Sequence, residues 1–152
     1  MSYGNMRDAL KQYSQVKVRS GVEGATPHRL IQMLMEGALE KMQLAKANLE
    51  RGNKAEKARH IDWALSIIDG LQSSLDMEKG GQIAANLDAL YDYMQRQLVM
   101  ANLDNDVAKL DEVSNLLLEI KTAWDAVPAV LKQQEAAGAQ AATAAVNHAA
   151  AG

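Results

Sequence analysis

Apolar positions recur every three or four residues through most of this chain, with polar residues filling the intervals, the spacing of amphipathic helices. The stretch from Ile67 to Met94 organises the rest. It reads as the end of one helix, a reversal at Gly80 and Gly81, and the start of another. On a helical wheel, Leu87, Leu90, Met94 and Leu98 fall within roughly 60° of Ile83 at about 100° per residue. Tyr91 and Tyr93 land on the two flanks of that stripe. A hairpin with one apolar stripe cannot bury it alone and needs two more helices or a partner.

The chain supplies the helices. Thr26-Pro27 is a hydroxyl N-cap followed by Pro at the first helical position. The helix it opens runs to about Arg51, its stripe carried by Leu30, Leu34, Ala38, Met42, Ala45 and Leu49. Gly52-Asn53 closes it and caps the next, and Glu56 three residues after Asn53 resembles a capping box. The second predicted helix extends to Lys79, with Ile61, Leu65, Ile68 and Leu75 on its core face and Gly80 as its stop. Its opposite edge, Asp62, Ser66, Asp69, Ser73 and Asp76, is solvated. The third covers about Gln82 to Leu103, and residues Asn102 to Asp106 turn the chain. The fourth carries Leu110, Val113, Leu117, Ile120, Trp124 and Val127, with Pro128 ending or kinking it and a last turn to Leu131.

Connections this short force successive helices antiparallel. The expectation is an all-α, up-down-up-down four-helix bundle over residues 26–131. Residues 1–25 precede it as an N-terminal arm, and residues 132–152, mostly Ala, Gln, Gly and Thr, follow as a flexible tail. In the arm, Met6, Leu10, Tyr13 and Val16 fit a short amphipathic helix, read either as a packed element or as a detachable cover.

Composition agrees with helix: eight Met, two Pro and no Phe in 152 residues. Two helices carry more apolar surface than one stripe requires. Trp63, Ile67 and Leu71 lie beside Gly70 on the second, and Met33 and Leu44 beside Gly37 on the first. An interior helix glycine costs about 1 kcal/mol relative to Ala, so the pair asks for a reason. Either the two helices pack closely there, or the glycines admit a partner helix. Leu118, beside Ser114 and Lys121, also lies off its helix's core face.

The chemistry of an enzyme is missing. No cysteine is present, which excludes disulfides and thiolate metal sites. Glu56 and His60 are spaced by four and lack the paired motif of a di-iron bundle. His28 falls in the first helical turn, where a solvated or capping role is expected, and His148 lies in the tail. No phosphate-binding glycine loop or nucleophile constellation appears. No metal or cofactor is therefore expected. A net charge of −3 argues against nucleic acid, and no apolar run approaches the ~20 residues that span a bilayer. Without a secretory signal pattern, the expected address is the cytosol.

Several segments, in order, carry a resemblance. They are Tyr13-Ser-Gln-Val16, Thr26 to Leu34 with Gly37-Ala38, Ile67 to Asp76 and Glu78 to Gly81. Asn86-Leu87, Leu90-Tyr-Asp-Tyr-Met94, Ala101-Asn-Leu103, Asn105-Asp106 and Glu119 to Trp124 complete the series. Over about residues 10 to 127 the chain resembles the FliS family of flagellar secretion chaperones. The resemblance implies a bundle that binds the disordered C-terminal segment of flagellin, blocks premature polymerisation and, once loaded, docks at the membrane export gate. It also implies that the arm, with Leu10, Tyr13 and Val16, covers part of the groove until flagellin displaces it. The expected flagellin-binding residues are Tyr13, Ile67, Gly70, Leu71, Tyr91 and Tyr93, with intramolecular packing as the alternative for each. Unloaded, the protein is expected as a monomer or weak homodimer. A homodimeric adaptor without a flagellin client is the rival reading.

Overall fold

The computed structural model describes residues 24–133, with side chains as far as residue 127. Among these residues there are four helices: α1 (Pro27–Glu50), α2 (Lys54–Ser73), α3 (Met77–Asp104) and α4 (Val107–Gln133). Each packs on its neighbour in sequence, α4 returns to α1, and neither diagonal pair approaches. This is the antiparallel up-down-up-down bundle that the short connections require.

Local chemistry sets the ends. The Thr26 hydroxyl accepts the Arg29 amide at 3.1 Å, and Pro27 needs no donor partner in the first turn. Asn53 accepts the Glu56 amide at 3.3 Å. The capping box is only half made, because the Asn53 amide goes to the Asn48 carbonyl at 2.8 Å. The Glu56 carboxylate instead binds Arg59 at 2.7 Å. Asn105 ends α3 in the left-handed conformation, φ 53°, and Asp106 caps α4 through the amides of Ala108 and Lys109.

The second helix ends earlier than its pattern suggests, at Ser73 rather than Lys79. Asp76 is the reason. Its carboxylate accepts the amides of Glu78 and Lys79 at 3.1 and 3.0 Å, a local bond that starts a new helix instead of continuing the old one. One turn later Gly81 adopts φ 52°, ψ −129°, breaking the path before α3 proper begins. Gly80 has a separate task. A Cβ there would lie 2.6 Å from Ala84 Cβ, so the reversal needs both glycines, one for close approach and one for its backbone.

The core is built from the expected stripes. Leu34, Met42, Ile61, Ile68, Met94, Leu98, Leu110 and Leu117 are fully buried. Ile67 and Leu71 join them, and Gly37 and Gly70 are buried on α1 and α2. The apolar arc of α2 is thus wide enough to reach inward on two flanks.

Candidate partner-binding faces

The two flanks of α2 differ. Toward α1 lie three buried or half-buried polar side chains. The Lys41 ammonium sits 4.0 Å from the centre of the Trp63 ring, although Lys41 is only 4% exposed; the ring's negative face offsets part of the desolvation. His60, one turn before Trp63, is buried. Its Nδ1 and the Trp63 Nε1 are buried with no hydrogen-bond partner. Nε2 lies 4.0 Å from Glu56, too far for a hydrogen bond. Burial pushes the His60 pKa down, Lys41 and Arg59 push the same way, and Glu56 and Glu40 oppose them. The balance favours the neutral ring.

Toward α3 the outer flank of α2 opens into a cleft of about 800 Å³ lined by Leu65, Ser66 and Asp69 with Asp92, Arg96, Val99 and Met100 among the α3 residues. Polar bonds close both ends. Gln72 Nε2 donates to the Asp88 carboxylate at 3.0 Å and Gln95 Nε2 donates to Gln72 Oε1 at 2.7 Å. At the other end the Lys57 ammonium donates to the Asn102 carbonyl and to Asn105 Oδ1 at 2.8 and 2.7 Å. Burial lowers the Lys57 pKa, and Lys54 adds to it. Between the stitches the α3 side exposes apolar surface, Met100 at 41% and Val99 at 53%, and past the Asn102 stitch Leu103 is 72% exposed.

The α1/α4 seam is closed. Gln32 Nε2 donates to Asp125 at 2.7 Å, and Lys121 donates to the same carboxyl at 2.8 Å. Burial works against the Asp125 charge, yet these bonds hold its pKa below the usual carboxylate range. Glu36 takes Arg29 at 3.1 Å and Lys121 at 3.8 Å, and Lys46 pairs with Asp111 at 3.0 Å. At the end of the seam a clasp forms. His28 stacks on Trp124 with centroids 4.8 Å apart, its Nε2 donates to the Trp124 carbonyl at 2.7 Å, and Trp124 Nε1 donates to the His28 carbonyl at 3.0 Å. The Trp124 carbonyl is available because residue 128 is proline, which lacks the amide that would bond it within the helix. His28 is therefore neither solvated nor a cap; it supplies the missing donor.

No group of three or more His, Cys, Asp or Glu among the described residues could hold a metal ion. No described helix is long and apolar enough to cross a membrane. What remains is a set of surfaces, and comparison with known proteins bears on their use. The family model described as flagellar protein FliS matches residues 9–131. The chain is 51% identical over 119 residues to flagellar secretion chaperone FliSB of Pseudomonas aeruginosa, covering 78% of this chain and 94% of that protein. It is 46% identical over 123 residues to flagellar secretion chaperone FliS of Vibrio cholerae (81% and 90% covered). The Salmonella typhimurium protein of the same name is 46% identical over 127 residues (83% and 94% covered). This chain belongs to the FliS family. Its alanine-rich end, beyond residue 131, lies outside the family match.

Within this FliS-family bundle the expected flagellin-binding residues are spread. Ile67, Gly70, Leu71 and Tyr91 are buried, and burial pushes the Tyr91 phenol pKa up. Tyr93 is half-buried and its hydroxyl donates to Glu112 across the α3/α4 seam at 2.6 Å, a bond that raises the phenol's pKa. Leu10, Tyr13 and Val16 lie outside the described residues. The pattern reading passed over Val99, Met100 and Leu103. Their signal was legible: they fall off the Met94–Leu98–Ala101 core stripe, on the outer face of the same helix. Leu118, expected off the core, is 52% exposed.

Proposed function

We propose that this chain is a cytosolic flagellar export chaperone that acts by binding, without catalysis. Its client is the C-terminal segment of flagellin, kept from premature polymerisation and delivered to the export gate. The observation that carries the reading is the match to relatives named flagellar secretion chaperones over nearly their whole length. The α1/α2 face fits a helical client. It combines apolar side chains at Ile67 and Leu71, the missing side chain of Gly70, and two buried polar atoms without partners. Because Ile67, Leu71 and Tyr91 are buried, a client reaches them only when this face is uncovered; Tyr93 is engaged at the rim. The arm residues Leu10, Tyr13 and Val16 cover the face in the unloaded monomer or weak homodimer, and flagellin displaces them.

The test is calorimetric titration of the cognate flagellin's C-terminal segment, followed in parallel by circular dichroism. A one-to-one complex, a gain in helix and a negative heat-capacity change from apolar burial are expected. Tyr13→Ala, removing the competitor, tightens binding. No binding with both proteins folded overturns the client assignment.

A further inference from the structure

A polar group buried without a hydrogen bond is rare, because it gives up its bond to water and gains none in return. Among the described residues two such atoms stand three positions apart on the α1-facing flank of α2, His60 Nδ1 and Trp63 Nε1. Side chains so spaced are neighbours on one helix face, with Cβ atoms about 5–6 Å apart. Their chemistries are opposite. The indole Nε1 can only donate. The His60 ring presents Nε2 to the Glu56 carboxylate at 4.0 Å, which draws the ring proton to that side and leaves Nδ1 as an acceptor. The charges that act on the ring are mixed in sign, Lys41 and Arg59 against Glu56 and Glu40. A ligand group bearing net charge therefore gains little attraction there and loses its hydration. One turn beyond Trp63 on the same face, Ile67 is buried.

We propose that His60 and Trp63 form a specificity subsite for a side-chain carboxamide, an Asn or Gln of the bound client, whose oxygen accepts from Trp63 Nε1 and whose NH2 group donates to His60 Nδ1. This rests on the flagellin reading and on the same uncovering of the face, and it adds the residue chemistry that the face selects. A carboxamide carries its acceptor and its donor on separate atoms, as two separate rings require; a hydroxyl has to serve both rings from one atom. A carboxylate accepts from Trp63 but meets the His60 lone pair. An ammonium donates to His60 but strands the Trp63 donor, whose ring already carries the Lys41 cation. An aliphatic side chain leaves both buried atoms unpaired. A site built to hydrogen-bond rejects the group that lacks the bond more sharply than an apolar pocket rejects a misfit. Ile67 and Leu71 thus hold apolar side chains with little discrimination, and the polar pair fixes the register in which the client docks.

The chain has two tryptophans, so its indole N–H resonances report on the site directly. Trp124 Nε1 already donates to the His28 carbonyl at 3.0 Å and serves as the internal reference; loss of the other signal in Trp63→Phe assigns it. Titrating the C-terminal segment of the cognate flagellin into the full chain is expected to move the Trp63 signal downfield and leave that of Trp124 in place. Replacing the Asn and Gln residues of the segment by Leu, one at a time, identifies one position that weakens binding about fivefold, the contribution of a neutral hydrogen bond. In Trp63→Phe, which keeps an aromatic ring beneath Lys41, the same replacement weakens binding no further. Asp at that position binds more weakly than Asn. A Trp63 signal unmoved in the saturated complex overturns the proposal, as does binding indifferent to every Asn and Gln, or a preference for Asp. Equal losses in the parent and in Trp63→Phe overturn it too, since they place that carboxamide elsewhere. No binding of the unaltered segment removes the flagellin reading and the proposal with it; in the other failures the client still binds and the subsite alone falls.

Discussion

The α1/α4 seam and the α2/α3 cleft are both junctions of antiparallel helices in one bundle, yet one is bridged by ion pairs along its length and the other is stitched by polar bonds at its ends. The difference is the sign of the facing charges. In the seam, cations of one helix meet anions of the other, Lys121 at Glu36 and Lys46 at Asp111, while Arg29 on Glu36 and Lys121 on Asp125 add pairs within α1 and within α4. In the cleft, Asp69 faces a wall whose one lining cation, Arg96, is held by Asp92 of its own helix. Like charges cannot bridge a groove, so the apolar floor between them keeps its exposure. A seam is built by complementarity within the chain; apolar surface stays exposed where that complementarity is missing.

The largest test of that contrast lies at the clasp. Trp124→Ala removes a large half-buried ring, its stacking on His28 and the Nε1 bond to the His28 carbonyl, and is expected to lower unfolding free energy by about 2–4 kcal/mol, read from urea denaturation. His28→Ala leaves the Trp124 carbonyl without a donor and costs roughly 1–3 kcal/mol. His28→Gln, which can donate through its side-chain amide, recovers part of that loss. A pH series probes the third junction. His60 has a lowered folded pKa, so below its ordinary value of about 6.5 the unfolded chain takes up a proton that the fold resists. Stability is full above that pH and falls as pH drops toward the folded value. Comparing urea midpoints on the two sides of that window, the drop shrinks in His60→Gln. Smaller still is Lys121→Met, which breaks one contact across the seam, to Glu36, and one within α4, to Asp125, and as the loss of partly solvated ion pairs changes stability by no more than about 1 kcal/mol. Leu103→Ser sits at the bottom, within about 0.5 kcal/mol. A large loss there would mean that the cleft is structural after all.

Much of this was legible in the chain because the signals are local. Thr26, Asn53 and Asp106 cap through bonds to amides two or three residues on, and the stripe of α4 is regular enough to name Leu110, Val113 and Leu117 as core. The end of α2 was misplaced because two signals compete within eight residues: Gly80 reads as a stop, but Asp76 captures the amides first. The candidate faces were less legible. Whether Ile67 is interior depends on how closely α1 approaches α2, and whether Val99 is exposed depends on how α2 and α3 splay. Neither distance is written in a periodicity. The role of Pro128 was half visible: the residue announces a broken ladder, but only the fold reveals that His28 mends it.

That repair has a consequence in time. The His28–Trp124 contact joins residues 96 positions apart, from the first turn of α1 to the late turns of α4, and closing so long a loop carries an entropic penalty that local hairpins avoid. The clasp is therefore expected to close after the hairpins and beyond the rate-limiting barrier, which the folding and unfolding arms of a His28→Ala chevron test. Interactions absent from the transition state slow escape from the native state without speeding its formation. Loosening the clasp shortens the lifetime of the folded bundle and leaves its folding rate nearly unchanged, so a single histidine acts as a brake on unfolding.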